Sequence, residues 1–201
     1  MSSADDTAVA TRVGRRPSTS QAELSHIALR LFTENGFDET TVDDVAAAAG
    51  IGRRTLFRYF SSKNDLPWGD FDQQLAKMRA HLRSMPADLP LTDALRAAVV
   101  EFNRIPPEEI SWHRRRMRLL LTVPALQAHS MLRYESWREV VADYAAERLR
   151  VPADSPMPRT IAWALLAVAL SAYEQWLRHE DADLTDLLEA SLSMLDKGFR
   201  L

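Results

Sequence analysis

The stretch that most constrains the fold runs from residue 40 to residue 66 and reads TTVDDVAAAAGIGRRTLFRYFSSKNDL. Thr41 can cap a first helix with its hydroxyl, and Asp44 completes a capping box. The GIG turn at 50–52 then ends that helix, because glycine adopts left-handed backbone angles without a Cβ clash. A second short helix is predicted over 53–60. The stretch therefore predicts a helix-turn-helix.

The outer face of the second helix is basic and aromatic. Between residues 53 and 64 the chain has four cations and no anion, although its formal net charge is -3. A local basic cluster on an exposed helix suits the major groove of DNA. Arg54 and Arg58 are predicted to read bases, and Lys63 is predicted to contact a phosphate. The predicted DNA-binding residues are Thr41, Arg53, Arg54, Thr55, Phe57, Arg58, Tyr59 and Lys63.

The pattern AxxLFxENGFDETTVDDVAAAAGI over 28–51, followed by RRTLFRYFSSKNDL, resembles the DNA-binding region of the tetracycline-repressor (TetR) family of bacterial transcription regulators. The resemblance implies a homodimer that binds double-stranded operator DNA and responds to a small-molecule effector. Gly52 stands where the family often has serine, and Phe57 stands where tyrosine is frequent. The longer phrase RRTLFRYFSSKNDLPWGDFD is similar to a subgroup associated with mycofactocin biosynthesis. That similarity implies sensing of acyl-coenzyme A.

The composition restricts the class of protein. Of 201 residues 46% are hydrophobic, enough for a sizeable core, and there is no cysteine. Disulfides, thiol nucleophiles and zinc fingers are therefore excluded. The apolar run over 161–170 is shorter than the roughly 20 residues that span a bilayer, and no apolar leader is visible at the N-terminus. A cytoplasmic protein without membrane contact is expected.

The whole chain is predicted to be all-α, with an N-terminal three-helix DNA-binding domain and a C-terminal helical domain for ligand binding and dimerisation. Residues 1–17 are predicted to form a flexible arm, 18–62 the DNA-binding domain and 63–201 the helical domain. The arginines of the arm would either touch DNA or belong to a solvated tail. The first helix is predicted over 18–35 and a continuous fourth helix over 62–84. Further helices are predicted over about 91–105, 108–121, 125–149, 159–179 and 184–199.

The last two predicted helices are apolar and rich in small residues. They fit a four-helix dimer interface with two helices from each protomer, which is also what the TetR resemblance implies. The alternative is that both are ordinary core helices of a monomer. A dimer is favoured because a two-fold operator needs two reading heads.

Six aromatic residues of the C-terminal region are expected to surround one interior. They could form a packed core, but an apolar ligand cavity between helices is the favoured interpretation. The residues are Trp112, Tyr134, Trp137, Trp163, Tyr173 and Trp176. Beside them, a basic run over 114–118 is either a solvated face or a phosphate-binding group, with Arg115 and Arg116 as its predicted ligand contacts. A long-chain acyl-coenzyme A would match the cavity and the basic run together.

No nucleophile–base pair, phosphate-binding glycine loop or metal-ligand spacing appears in the sequence. No catalytic residue, metal site or cofactor is therefore predicted. The favoured function is a repressor that its ligand releases from the operator. The alternatives are an activator of the same fold, an α-helical lipid or ligand carrier, a helical enzyme that uses the cavity, and a nonspecific DNA-coating protein.

Overall fold

A computed structural model of the protein describes residues 20–198. The predicted arm over 1–17 and the predicted end of the ninth helix at residue 199 lie outside the described residues. Within that range the chain forms helices and turns only, so the predicted all-α class is confirmed. None of the helices in residues 20–198 is long and apolar enough to cross a membrane.

The α-helices are α1 (Gln21–Asn35), α2 (Val42–Ala48), α3 (Arg53–Leu56), α4 (Phe71–Ser84), α5 (Leu91–Phe102), α6 (Ile110–Thr122), α7 (Pro124–Leu149), α8 (Pro156–Arg178) and α9 (Leu184–Asp196). Two 3₁₀ segments accompany them: Lys63–Trp68 lies before α4, and Pro107–Glu109 lies before α6. We call the first of these the junction segment.

Helices α1 to α3 pack around one small core. Both of the first two helices begin with a capping box, Ser20 with Glu23 in α1 and Thr41 with Asp44 in α2. Such boxes satisfy backbone N–H groups that have no partner at a helix start. The predicted box at Thr41 is confirmed. The buried side chains that join the three helices are Leu24, Ala28, Phe32, Phe37, Val45, Leu56 and Phe60.

The second helix of the helix-turn-helix is shorter than predicted. Helix α3 ends at Leu56, and residues 57–59 continue as turns. The amides of Arg58 and Tyr59 bond to carbonyls three residues back, at 3.2 and 3.0 Å, which tightens the chain out of the α-helical spacing. Gly52 at the start offers no side-chain cap. A short, weakly capped helix frays early.

The predicted continuous fourth helix over 62–84 is wrong. The chain forms the junction segment, turns at Gly69 and only then enters α4. Pro67 has no N–H to donate and restrains Leu66, which disfavours an α-helix there. Gly69 has φ +57°, a left-handed value that any residue with a Cβ adopts only under strain. The break separates the three-helix unit from α4.

Helices α4 to α9 form the larger part of the fold. Helix α8 packs between α7 and α9 and buries one apolar side, with Leu165, Ala169 and Trp176 among its buried residues. Helix α6 reaches back to α1, so the two parts of the chain share a packed interface. The outer side of α8 leaves Trp163 exposed.

Candidate DNA-binding surface and ligand cavity

The predicted DNA-reading residues lie together on one surface formed by α3 and its following turn. Arg53, Arg54, Phe57 and Arg58 are exposed there. The guanidinium of Arg53 is 2.8 Å from the Asp43 carboxylate and lies 5.5 Å from the centre of the Phe57 ring. Because both partners of the ion pair are well exposed, the pair adds little stability. It fixes the direction of Arg53 rather than removing it from the surface.

Arg54 and Arg58 differ from Arg53 because they have no carboxylate partner among the described residues. Within the described part of the chain, neither side chain makes a hydrogen bond or an ion pair. Thr55 and Tyr59 are partly buried on the same turns, and the Tyr59 carbonyl accepts a 2.8 Å bond from Gln21 of α1. The surface therefore holds two exposed arginine side chains without a protein partner among the described residues, an arrangement that suits guanine edges and phosphates.

Lys63 and Thr41 are held at the border of this surface. The Lys63 ammonium lies 4.2 Å from the centre of the Phe37 ring and 3.4 Å from the Asp38 carbonyl that accepts its bond. The Thr41 hydroxyl donates to Asp44 at 2.6 Å and accepts from its amide at 3.1 Å. Lys63 therefore supports the loop between α1 and α2, besides carrying a positive charge beside the recognition turn.

A buried carboxylate ties the junction segment to α7. Asp65, whose side chain is only 7% exposed, accepts from Arg133 at 2.6 Å, from His129 at 2.7 Å and from Ser62 at 2.8 Å. Burial alone would raise the pKa of Asp65, but the bonds from Arg133, Ser62 and His129 outweigh it and lower the pKa below 3.8. We call this group the Asp65 cluster. It links the end of the helix-turn-helix to the longest helix of the C-terminal region.

A cavity of about 670 Å³ lies between the junction segment and helices α4 to α8. One wall is apolar and formed by long side chains of five helices. Its members are Phe71, Met78, Phe102, Met117, Leu120, Trp137, Leu166 and Leu170. Such a cavity, apolar with a few polar groups, is typical of small-molecule sites.

The cavity lining also carries a chain of hydrogen bonds. Tyr173 donates to the Asn103 side-chain oxygen at 2.7 Å, so its own oxygen accepts from His113 Nε2 at 2.8 Å. His113 Nδ1 then faces the Arg116 guanidinium at 3.5 Å. Burial, aided by the charge of Arg116, lowers the pKa of His113 to about 3, and burial raises the pKa of Tyr173. Both side chains are therefore neutral at physiological pH.

The predicted ligand-binding residues divide into two groups. Arg116, Tyr134, Trp137 and Tyr173 line the cavity. Four others lie outside this cavity, and their predicted ligand contacts stay predictions: Trp112, Arg115, Trp163 and Trp176.

Each of the four has another partner. Trp112 stacks on His26 of α1 with ring centres 4.7 Å apart, and Arg115 lies over the outer side of Trp112 at 4.9 Å. Trp163 is 47% exposed, with the Arg138 guanidinium 3.6 Å from its ring centre. Trp176 is buried in a neighbouring cleft.

The basic run on α6 is likewise not a single phosphate-binding group. Arg114 lies 4.1 Å from the Trp176 ring centre and donates to the carbonyls of Trp176 and Glu180 at 2.5 and 2.8 Å, so it fixes the α8–α9 connection. Arg115 is exposed, whereas Arg116 points into the cavity. Successive helical residues are about 100° apart, so adjacent arginines face different surroundings.

Sequence reasoning missed several residues of the site. Trp68, Asn103 and His113 line the cavity, and Arg133 holds the Asp65 cluster. The spacing of Trp68 and Phe71 signals a common face, but not that the face borders a cavity. No group of residues in the range 20–198 has the arrangement of a metal site.

An exposed basic helix-turn-helix joined by the junction segment to a helical part with a ligand-sized cavity is typical of a DNA-binding transcriptional regulator. The family model described as bacterial regulatory proteins, tetR family, matches residues 26–66, and the model described as the MftR C-terminal domain matches residues 89–200. The chain belongs to the TetR family and carries the C-terminal domain of the MftR type.

Two curated proteins are similar over most of the chain. A Mycobacterium tuberculosis (strain H37Rv) protein named as a candidate transcriptional regulator of mycofactocin biosynthesis, MftR, is 48% identical over 188 residues, which cover 94% of this chain and 95% of that protein. The regulator TcmR of Streptomyces glaucescens is 30% identical over 87% of this chain and 80% of its own length.

Solved structures show the same fold. The repressor FadR of Thermus thermophilus, in complex with lauroyl-CoA, has a TM-score of 0.58 and 22% identity, with 90% of this chain and 95% of that chain covered. The fatty acid degradation regulator FadR of Bacillus halodurans has a TM-score of 0.64 and 15% identity, with 88% and 98% covered. At these identities the likeness concerns the fold alone.

Proposed function

We propose that the protein is a homodimeric repressor that binds operator DNA and is released from it by an acyl ligand in the α4–α8 cavity. The observation that carries the proposal is that the cavity shares a wall with the junction segment, through Trp68. A ligand that displaces this wall moves the segment that follows the recognition turn. A ligand changes DNA affinity only by binding the two conformations unequally.

The contacts around the junction segment support this coupling. Trp68 packs edge-on against Tyr134 of α7, with ring centres 5.7 Å apart. Three residues earlier in the same segment, Asp65 is held by Arg133 of the same helix. One helix therefore contacts the ligand cavity and the Asp65 cluster through adjacent residues. A shift of α7 relative to the junction segment would change both the ligand cavity and the Asp65 cluster.

Helices α8 and α9 are the proposed dimer interface. Their outer sides leave Trp163 and Met194 each 47% exposed, beside small residues of α8. Large exposed apolar side chains on adjacent helices are typical of an interface that a second copy covers. We assign residues 18–62 to DNA binding and 63–201 to ligand binding and dimerisation. Two copies would place two recognition surfaces on half-sites about one DNA turn apart.

The proposed ligand class is an acyl chain, with acyl-coenzyme A as the specific candidate. The apolar wall of Phe102, Met117 and Leu166 suits a hydrocarbon tail, and Lys77 and Arg104 at the edge of the cavity are exposed cations that suit phosphates. The FadR structure with lauroyl-CoA supports the same ligand class through a shared fold.

The test is an acyl-coenzyme A series of increasing chain length. An operator duplex is first selected from random DNA, and its release is then followed by fluorescence anisotropy. Each added methylene should increase affinity about fourfold, equivalent to roughly 0.8 kcal/mol, until the cavity is filled. Operator release should follow the same rank order.

Other outcomes identify the alternatives. Affinity that is independent of chain length contradicts an acyl ligand in the cavity. Ligand binding without any operator affinity indicates a carrier, and ligand-dependent stimulation of transcription in vitro indicates an activator of the same fold. Equal affinity for all duplexes, with a steep salt dependence, indicates nonspecific DNA coating.

A further inference from the structure

Three polar atoms of the cavity wall, one in each of three side chains, lack a hydrogen-bond partner among the described residues. The Arg116 Nε, the Trp68 Nε1 and the Tyr134 hydroxyl are buried and make no hydrogen bond to any residue in the described range. Trp68 is only 8% exposed. The Ser130 hydroxyl donates to the Leu126 carbonyl at 2.7 Å and lies near enough to Tyr134 to lower its pKa, although burial raises that pKa by more. Buried donors without a partner are costly, so their convergence on one cavity points to an acceptor group on the ligand.

The Arg116 charge makes the requirement stronger. Among the described residues no carboxylate lies within ion-pair distance of its guanidinium. Asp70 and Glu109 act on it only from further away, and each carboxylate has a nearer partner: Gln74 for Asp70, and His26 for Glu109. Burial lowers the pKa of Arg116, which expresses the cost of keeping this charge away from water. A hydrogen-bond acceptor from the ligand would offset that cost.

The side chains around Arg116 are not available to bind the acceptor group of the ligand in its place. His113, whose pKa is about 3, is neutral and accepts at Nδ1, so it neither competes as a cation nor supplies an anion. Tyr173 is committed to Asn103. Arg115 on the same helix is exposed and lies outside the cavity wall.

We infer that Arg116, Trp68 and Tyr134 form a subsite that binds the acyl oxygen of the effector, as a carboxylate or as a thioester carbonyl. The inference rests on the proposed function, since it takes the occupant of the cavity to be an acyl ligand. The tail then lies along the apolar wall, and the oxygen accepts from the guanidinium, the indole N–H and the phenol O–H.

The subsite lies against Gly69, at the turn between the junction segment and α4. A Cβ added at Gly69 would be 3.7 Å from Arg116 Nη2, and Trp68 is the preceding residue. An acyl oxygen bound here pulls on the residue pair at which the chain turns from the junction segment toward α4. The polar end of the ligand, rather than its tail, therefore acts on the part of the fold that positions the recognition surface.

The experiment measures binding to DNA-free protein by calorimetry with four probes. Dodecanoyl-coenzyme A is compared with its S-dodecyl thioether, which lacks only the carbonyl oxygen, and dodecanoate is compared with dodecan-1-ol. In at least one pair, the acyl compound should bind about tenfold or more tightly than its matched compound. The pair that shows the difference identifies whether the ester or the free acid is the source of the acyl oxygen.

The variants assign the difference to the subsite. Arg116→Met should bring the ratio within the pair close to one while leaving the thioether or the alcohol unaffected. Tyr134→Phe and Trp68→Phe should each reduce the ratio by about threefold or more. Arg115→Met, at the adjacent exposed arginine, should keep the full ratio. Tyr134→Phe removes only one hydroxyl and keeps the ring, so it tests the subsite even if Arg116→Met fails to fold.

Two results would overturn the inference. One is equal binding within both pairs, and the other is a difference that survives in both Arg116→Met and Tyr134→Phe. Operator release is measured separately with the same four probes. If the thioether and the alcohol release DNA as well as the acyl compounds do, the proposed function stands without the subsite. If the acyl compounds bind with the expected ratio but never release DNA, the subsite stands and the repressor mechanism fails.

Discussion

The Asp65 cluster gives the sharpest prediction about stability. Replacing Arg133 with methionine keeps most of the packing of its stem but removes the guanidinium that lies 2.6 Å from Asp65. Asp65 is 7% exposed, so water cannot replace the lost partner. Removal of one partner from a buried ion pair costs about 3 to 5 kcal/mol. Because His129 and Ser62 still bond to Asp65, we expect the lower end, about 3 kcal/mol.

The same arginine provides its own control. Arg133 also contacts Asp72 at 3.1 Å, but that carboxylate is 82% exposed. Asp72→Asn should therefore change the free energy of unfolding by less than about 1 kcal/mol. Urea unfolding of wild type and variants at one protein concentration measures both values, since the stability of a dimer depends on concentration.

The pH dependence gives a second reading of the cluster. The folded-state pKa of Asp65 is lowered below 3.8, so its contribution to stability is fully present above the unfolded value and is lost as the pH falls through the folded value. The cost of Arg133→Met should accordingly be constant from neutral pH down to about pH 5 and shrink only in stronger acid. Equal costs for Arg133→Met and Asp72→Asn, or a cost that vanishes near pH 6, would refute this account.

Three further predictions concern titratable or charged side chains elsewhere in the molecule. The folded-state pKa of His113 is about 3, against an ordinary value of 6.5. Below about pH 6.5 the unfolded chain gains a proton that the folded one does not, so the free energy of unfolding of wild type should fall by up to about 1.4 kcal/mol per pH unit. Urea unfolding of His113→Phe should show a weaker dependence on pH. Lys63→Ala should weaken DNA binding about equally on all duplexes and lower the salt slope of binding by about one unit. Arg58→Ala should reduce the binding free energy by about 1–3 kcal/mol and relax sequence preference. Anisotropy titrations measure both. A specificity change for Lys63→Ala would contradict its role as a phosphate contact.

The parts of the fold that sequence predicts are those determined by local chemistry. The capping box at Thr41 and the glycine turn after α2 act over a few residues, so their patterns are visible in the chain itself. The Asp65 cluster is different. His129 and Arg133 lie 64 and 68 residues after Asp65, and nothing in either segment marks the partner. The junction segment illustrates an intermediate case, since Pro67 is visible but is equally compatible with the first turn of an α-helix.

The cavity was predicted as a class of site but not residue by residue. Aromatic residues on amphipathic helices indicate burial, yet they do not say which interior they face. Trp163 lies on a helix that is apolar on nearly every side in its first half, so no periodicity distinguishes its exposed face. The arginines at 114, 115 and 116 read as one basic cluster in the sequence. Their three different surroundings follow from helix rotation and from partners far along the chain.

The positions of the two buried charges suggest how the coupling runs. Asp65 directly precedes residues 66–69, and Arg116 lies beside Gly69. Asp65 is paired within the protein, whereas Arg116 lacks a carboxylate partner among the described residues. The paired charge holds the junction segment to α7 in the structure described, whereas an acyl oxygen at Arg116 would favour whichever arrangement of Trp68 and Gly69 best completes the subsite. Both interactions act on residues 66–69, so an acyl oxygen bound at Arg116 either weakens or strengthens the attachment of the junction segment to α7 through Asp65. By reciprocity, operator DNA must change the affinity for the acyl ligand by the same factor by which the ligand changes the affinity for DNA.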